Sequence, residues 1–491
     1  MSAPDISMEL LRKFNDSEVN DHATILLGAG ASVSSGLPDW NKFAQQLLTE
    51  SKAIDDDNLA ERFVQFEDPL LVAEAAQAAT NNRTSHNSWN AVVRRALFKD
   101  VNDVSPSSLH LAVANYILYD ESHQSRVATL NFDTLIEQSI NEACKEERSH
   151  PVVEPSPSDG EYDVRHLHGF ITSERAESIV LTLSDVTDAS SHEVWQRDYL
   201  RDALKKGPLI IAGTSYRDPD VRQWLQETLR QPIANSRRPS VFVLLAREGF
   251  NLSHHDFQRI RLAVELEWES IGIQPLLVED FADVAQIIFE LRSVVQQSYL
   301  SPQERAVQIW EYHAKNFNEL QEVYSEQLSQ DARKFSEILD DDSINLTLWL
   351  ADGQGNLGRW ASQDRIFRNI GAIRRIRSGY DSPLIAGKTL SRESTLFQDL
   401  PIDSGSHWQS VLAAPITVSY GRFQPFTDAV LSIGLPRSRS DYKSTSVLWN
   451  KVLSDVANQW STRLAENSPT RLASTGSDCT GIVSHIERRP S

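Results

Sequence analysis

The feature that most constrains this chain is an apolar run that leads into a glycine or polar turn, met three times. "HATILLGAG" (His22 to Gly30), "SRVATLNFD" (Ser125 to Asp133) and "GPLIIAGTS" (Gly207 to Ser215) each end this way, and a helical pattern follows each. Their hydrophobicity is continuous rather than alternating, which suits strands covered on both faces. Strand–turn–helix units in series build a parallel sheet. "RPSVFVLLAR" and "GIQPLLVED" supply two further short buried strands. The expected architecture is α/β, a Rossmann-like doubly wound parallel sheet over residues 1–295, with the pattern itself starting near residue 15.

The remainder reads differently. "PVVEPSPSDGEYD" is rich in proline and acid and reads as a loop. "PQERAVQIWEYHAKNFNELQEVYSEQL" spaces Ile, Trp, Phe and Leu as one face of an amphipathic helix, so residues 296–335 read as a helical connector. Apolar runs split by glycine turns, closed by "SVLWNKVLSDVANQWSTRLAE", predict an α+β domain over residues 336–466. Residues 467–491, rich in Ser, Thr and Pro, read as a disordered tail. Ser105 before Pro106 reads as the cap and first-turn proline of a helix.

Composition bounds the function. A length of 491 residues fits two or three domains. No apolar run approaches the roughly 20 residues that span a bilayer. The opening "MSAPDISMELLRKFND" lacks a basic region followed by an apolar core, so a cytoplasmic protein is expected. The formal charge of −20 argues against direct binding of nucleic acid, although a basic partner protein is compatible with it. Two cysteines, Cys144 and Cys479, make neither a disulfide framework nor a four-thiolate zinc site.

Ligands of open α/β sheets bind at the carboxyl ends of the strands. Polar groups gather there in the Gly28 loop, in Thr129 to Asp133, in "HLHG" (His166 to Gly169) and in "GTSYRDPD" from Gly213. Gly28 and Gly30 are expected to adopt positive φ and to let the backbone approach a diphosphate, with free N–H groups facing the anion. The third glycine of the dinucleotide fingerprint arrives late, at Gly36, so this is not the common dehydrogenase loop. Each cluster also has a plain structural reading. Asn131 and Asp133 can form a turn and a helix cap, His168 can be a core histidine, and Thr214 and Ser215 can cap the helix beginning near Asp218.

Taken together and in this order, the motifs resemble the sirtuin, or SIR2-like, family of NAD-binding proteins. Gly28-Ala29-Gly30-Ala31-Ser32 through Ser35-Gly36-Leu37-Pro38-Asp39 matches its glycine loop. Thr129-Leu130-Asn131-Phe132-Asp133, His166-Leu167-His168-Gly169 and Gly213-Thr214-Ser215 match its other three motifs. The resemblance covers about residues 20 to 295. It implies that Gly28, Ala29 and Gly30 hold the diphosphate of NAD+, and that Asn131 and Asp133 contact the nicotinamide ribose and carboxamide. It makes His168 the catalytic base and sets Gly213, Thr214 and Ser215 beside the adenosine half. Ser32, Pro38, Asp39 and Thr129 belong to the same binding motifs.

The departures narrow the resemblance. No cysteine lies between Cys144 and Cys479, so the zinc module of protein-deacylating sirtuins is absent and no zinc is expected. Leu130 stands where those enzymes carry glutamine, and Trp40-Asn41 where they carry Phe-Arg. The segment from Ile171 to Gly207 shows no strand of the kind that pairs with an acetyl-lysine peptide. The chain is closer to bacterial antiviral effectors in which a SIR2-like domain hydrolyses NAD+ as a substrate. Activity of that kind implies an NAD+ nucleosidase held under control; a non-catalytic NAD or ADP-ribose sensor and an ADP-ribosyltransferase are the alternatives. The amphipathic connector suits packing against a neighbouring domain or another subunit, so a homo-oligomer is expected; the resemblance adds a HerA-type ATPase or a phage-derived trigger as partner. The region after residue 336 resembles a GAF-type sensor in layout.

Overall fold

The computed structural model describes residues 6–14, 18–19, 21–82, 88–99, 104–120, 122–144, 162–172, 176–177, 179–185, 187, 195–214, 219–230, 240–296, 298–401, 407–421 and 423–469. Packing divides them into two compact units. One comprises the described residues of Asp16–Leu245 and Gln258–Leu277; the other comprises those of Met1–Asn15, Ala246–Phe257 and Val278–Ser491. Sequence composition places a single crossing near residue 295, whereas the packed units exchange the chain several times before that point. The acidic, proline-rich loop falls almost wholly outside the described residues, as does nearly all of the expected tail.

The first unit is built on a six-stranded parallel sheet in the order β3-β2-β1-β6-β7-β8. Its strands are β1 (Thr24–Leu27), β2 (Arg126–Thr129), β3 (Val164–His166), β6 (Leu209–Ala212), β7 (Val241–Ala246) and β8 (Gln274–Val278). Register explains the unbroken hydrophobicity. Leu26 aligns with Ala128 and Ile211, and Ile211 with Val243. That row packs under Leu200, Leu204, Trp224, Leu225, Val264 and Trp268 from the covering helices. The adjacent row of Ile25, Val127, Ile210 and Phe242 points the other way and is buried as well. With neither face open to water, alternation has no physical reason to appear.

A helical insertion separates β1 from β2, and its starts are written in acids and serines. Asp39, Asp56, Asp68 and Ser88 each accept a hydrogen bond from a first-turn amide of the helices Trp40–Glu50, Asp57–Val64, Pro69–Asn81 and Trp89–Leu97. Such caps are worth about 1 kcal/mol each. The helix Ser108–Leu118 is capped by Ser107 in a capping box with His110, and not by Ser105 as the Ser-Pro pair indicates. A two-stranded hairpin, β4 (Phe170–Ile171) with β5 (Ala176–Glu177), opens the segment that follows the histidine motif.

The second unit carries a six-stranded sheet in the order β11-β10-β9-β14-β13-β12, antiparallel at every pair of neighbours. These strands are β9 (Asn345–Ala351), β10 (Asn356–Ser362), β11 (Arg375–Arg377), β12 (Leu396–Asp399), β13 (Ser410–Val418) and β14 (Phe426–Leu435). One face packs Leu346, Leu348 and Leu350 under Tyr324, Leu328, Phe335, Val456 and Trp460. The helix Ile385–Arg392 covers Trp349, Ala351 and Val430 on the opposite face. The expected connector is therefore two helices of this unit's own core, Pro302–Lys315 and Phe317–Leu339, divided at Asn316. Asn316 leaves helical geometry (φ −100°, ψ 24°), and its Nδ2 donates to the Tyr312 carbonyl. Among the described residues no helix is long and apolar enough to cross a membrane.

Candidate active site

The four motifs share one origin in the sheet. Leu27 aligns with Thr129 and with Ala212, and Thr129 with His166. Gly28, Leu130, Leu167 and Gly213 are therefore the first residues to leave the sheet, side by side at its carboxyl edge. Strand order reverses between β1 and β6, and the loops at that reversal are those of Gly28 and Gly213. A crevice at such a point is where open α/β sheets bind nucleotides.

The glycines are needed there, but for a different reason from the one expected. Neither Gly28 nor Gly30 has a positive φ; Gly213 does, at +71°. A Cβ on Gly28 would lie 2.7 Å from the Gly213 oxygen and 2.8 Å from Thr214 Cα, and one on Gly30 would lie 2.8 Å from the same oxygen. The close neighbour is thus the opposing loop of the protein itself. Nor are the amides free. Gly28 N–H donates to the Ala212 carbonyl at 2.9 Å and Gly30 N–H to the Gly213 carbonyl at 2.7 Å. Ala31, Ser32 and Val33 donate back to Gly28 and Ala29. Ala29, exposed at the edge, contributes the loop amide that no backbone carbonyl takes among the described residues.

Asn131 joins the loops of β1 and β2. Its Nδ2 donates to Ser32 Oγ at 2.8 Å, and its backbone N–H donates to Thr129 Oγ1 at 3.1 Å. Asn131 is 7% exposed, and its Oδ1 is buried with no hydrogen-bond partner among the described residues. A buried amide oxygen left in this state costs about 1–3 kcal/mol unless something supplies a donor. Asp133 makes the cap that its position suggests, accepting from Leu135 N–H at 3.2 Å at the start of the helix Leu135–Cys144. Asp39 likewise caps the helix Trp40–Glu50, accepting from Lys42 N–H at 2.8 Å, with half-buried Pro38 before it. No bond recorded among the described residues brings Pro38 or Asp39 to Asn131. Ser215 lies outside the described residues.

His168 follows β3 and is buried, with its ring edge-on to Trp224 at 6.0 Å. Its carbonyl accepts from Val180 N–H at 3.0 Å, and the preceding Leu167 carbonyl accepts from the buried Gln196 at 3.3 Å. Ile171 N–H reaches across to the Phe132 carbonyl at 2.7 Å and ties the histidine turn to the asparagine turn. Among the described residues no cluster of His, Cys, Asp or Glu is arranged to hold a metal ion.

Sequence reading placed His166 in a motif without giving it a role, and missed Glu137. His166 Nε2 lies 2.7 Å from Glu137 Oε1 and its Nδ1 lies 2.9 Å from the Asn131 carbonyl oxygen, with both side chains buried. Burial alone would depress the His166 pKa. Glu137 by charge and hydrogen bond, the Asn131 carbonyl and Asp133 outweigh it and hold the pKa above the ordinary histidine value. His110, buried beside the same acids, goes the other way: burial lowers its pKa despite the opposing charges of Asp133 and Glu137. The available signal was a second histidine two residues before His168 and a glutamate one helical turn beyond Asp133.

Comparison with known proteins finds a family match over part of this region. Residues 125–276 match the SIR2-like domain. The match takes in Asn131, Glu137, His166, His168 and Gly213, and begins after the Gly28 loop. SIR2-like domains bind NAD+. The chain is also 25% identical over 187 residues to the uncharacterized protein y4cA of Sinorhizobium fredii, a stretch that makes up 36% of this chain and 15% of that protein.

Proposed function

We propose that this SIR2-like chain is an NAD+ glycohydrolase that cleaves the nicotinamide–ribose bond, and that it acts as a regulated effector of antiphage defence by depleting NAD+. The observation that carries the reading is Asn131, a buried carboxamide at the sheet's carboxyl edge whose oxygen has no donor among the described residues. Ribose hydroxyls and water supply donors of the kind it lacks. Asn131 would orient the attacking water, so that attack on a bound substrate is effectively intramolecular. His168 would accept a proton from that water as its oxygen bonds to ribose C1′ and the bond to nicotinamide breaks. The products are nicotinamide, ADP-ribose and one proton. Ala29 offers an exposed amide to the diphosphate, beside the interlocked Gly28 and Gly213 loops.

On this reading the antiparallel-sheet unit acts as a GAF-type sensor and governs when the site fires. Homo-oligomerisation, a HerA-type ATPase or a phage component would act as the trigger. The test gives the purified full chain NAD+, alone and with lysate of phage-infected cells, and measures products by chromatography. Nicotinamide and free ADP-ribose should appear in equal amounts. Nicotinamide release with the label retained on protein would indicate ADP-ribosyl transfer, and no release under either condition would overturn the proposal.

A further inference from the structure

Both ring nitrogens of His166 face acceptor oxygens. Nδ1 meets the Asn131 carbonyl at 2.9 Å, and Nε2 meets Glu137 Oε1 at 2.7 Å. A neutral imidazole has one N–H and can satisfy only one of them; an imidazolium opposite a carboxylate satisfies both. The pair is closed off from water, since the His166 and Glu137 side chains are 4% and 3% exposed. At such burial the two charges persist only as a hydrogen-bonded pair. The remaining titratable groups around them are Asp133 and His110, from the turn before the helix Leu135–Cys144 and from the helix Ser108–Leu118.

We infer that His166, held as an imidazolium by Glu137, is the positioning residue of this site: through its bond to the Asn131 carbonyl it fixes the backbone from which the Asn131 carboxamide is presented. The inference rests on the NAD+ reading for its consequence, but not for its geometry. Three ties hold the asparagine turn, and each removes a different freedom. Thr129 Oγ1 takes the Asn131 N–H, Ile171 N–H holds the Phe132 carbonyl, and His166 holds the carbonyl between them. Without the His166 bond the Asn131 peptide group can rotate, and the carboxamide moves with it. Displacement of about 1 Å in a positioned group can cost on the order of 10²-fold in rate. Outer hydrogen-bond partners of metal ligands typically cost about 10- to 100-fold when removed, and a loss of similar size is expected for the support of a positioned carboxamide.

The charge state is tested first, because it needs no activity. The full chain, labelled with 13C and 15N in histidine, is titrated by NMR, and the His166 resonance is assigned by its absence from His166→Phe. Protonated-type shifts at both ring nitrogens at pH 7.5 are expected, changing to a neutral pattern in Glu137→Gln; a neutral ring in the parent would overturn the charged pair. Turnover is measured next. His166→Phe should lower kcat about 10- to 100-fold with KM within about threefold, while Glu137→Gln, whose amide can donate to a neutral His166 Nε2 and leave Nδ1–H on Asn131, should retain most of kcat. A folded His166→Phe with parental kcat refutes the positioning role. If His166→Phe does not fold, the role is decided by Glu137→Leu, which leaves the ring without its partner and should lower kcat with KM preserved. If the parent releases no nicotinamide, the glycohydrolase reading has failed separately. Affinity for ADP-ribose then serves in place of kcat: a tenfold loss in His166→Phe supports positioning, and equal affinity refutes it.

Discussion

Gly28→Val tests whether the two loops at the strand reversal are interlocked. The valine Cβ would begin 2.7 Å from the Gly213 oxygen and 2.8 Å from both Thr214 Cα and Thr214 Cβ. Nonbonded heavy atoms prefer separations of about 3.5–4.0 Å, so each contact is roughly 0.7 Å or more too close. Two of the three opposing atoms are backbone, and the Gly213 carbonyl is itself held by the Gly30 N–H at 2.7 Å. Overpacking of this kind costs about 1–3 kcal/mol, with the upper end appropriate where backbone must move. Removing glycine's freedom in the unfolded chain returns about 0.4–1 kcal/mol. The net loss is on the order of 2 kcal/mol, or about 4–8 °C in Tm for a domain of about 150–250 residues. Thermal unfolding followed by circular dichroism reads the first effect. Calorimetry with ADP-ribose reads the second, a loss of affinity as the Ala29 amide is displaced. A variant within 1 °C of the parent and with equal affinity would mean that the loops have room to part, and the interlock would be wrong.

Other consequences can be checked in parallel. His168→Ala and Asn131→Ala should each lower NAD+ turnover about 10²- to 10⁴-fold with unchanged circular dichroism; parental turnover in His168→Ala would remove the mechanism. Asp120 has its pKa moved from 3.8 to about 2, because hydrogen bonds from Ser122 and Ser125 overcome the opposing effect of burial. A depressed carboxylate stabilises the fold above its unfolded pKa and loses that contribution as pH falls from about 4 to 2, so Asp120→Ala should flatten the acid limb of a stability-versus-pH curve. Of a total on the order of 2 kcal/mol, about 1 kcal/mol is lost between pH 6 and pH 3, and urea titration at those two values reads it. Activity should depend on a trigger: the full chain assayed across concentration and with infected-cell lysate should show at least a severalfold rise in NAD+ turnover, and a flat response would leave the second unit without a regulatory role.

Much of the sheet was legible because parallel strands covered on both faces have no choice but to be apolar throughout. Leu26 and Ile25 face opposite layers, and both are buried. The turns after them were legible because a loop leaving a sheet beside another loop requires small residues. The reason behind each glycine was not. Positive φ and close approach both select glycine, and only the coordinates separate Gly213, which needs the first, from Gly28 and Gly30, which need the second. The role of His166 and the presence of Glu137 escaped notice for a related cause. They are 29 residues apart, and nothing local in either segment indicates the β2–β3 pairing that brings them together. The helical periodicity from Pro302 was real, but periodicity reports an apolar stripe and not its occupant. Here the stripe is filled by the unit's own sheet, and only Asn316 marks the break.

The same coordinates sort the expected site residues by what their polar atoms already do. Asp39 and Asp133 each accept an amide at a helix start, and the Gly28 and Gly30 amides close onto β6 and the loop after it. The Gly28 and Gly30 amides can bind a ligand only by giving up a bond the fold uses, whereas each carboxylate keeps acceptor capacity beyond its one cap bond. Asn131 differs: its amide nitrogen is anchored to Ser32, its backbone is held at both ends, and its side-chain oxygen has no donor among the described residues. A buried acceptor kept in one orientation by three separate bonds is costly to maintain, and it persists only where that orientation is useful. Bonds with Ser32, Thr129 and His166 therefore meet three different atoms of one residue. The loops of Ser32, Thr129 and His166 place the Asn131 oxygen, and the loops of Gly28 and Gly213 are packed too tightly to let that arrangement drift.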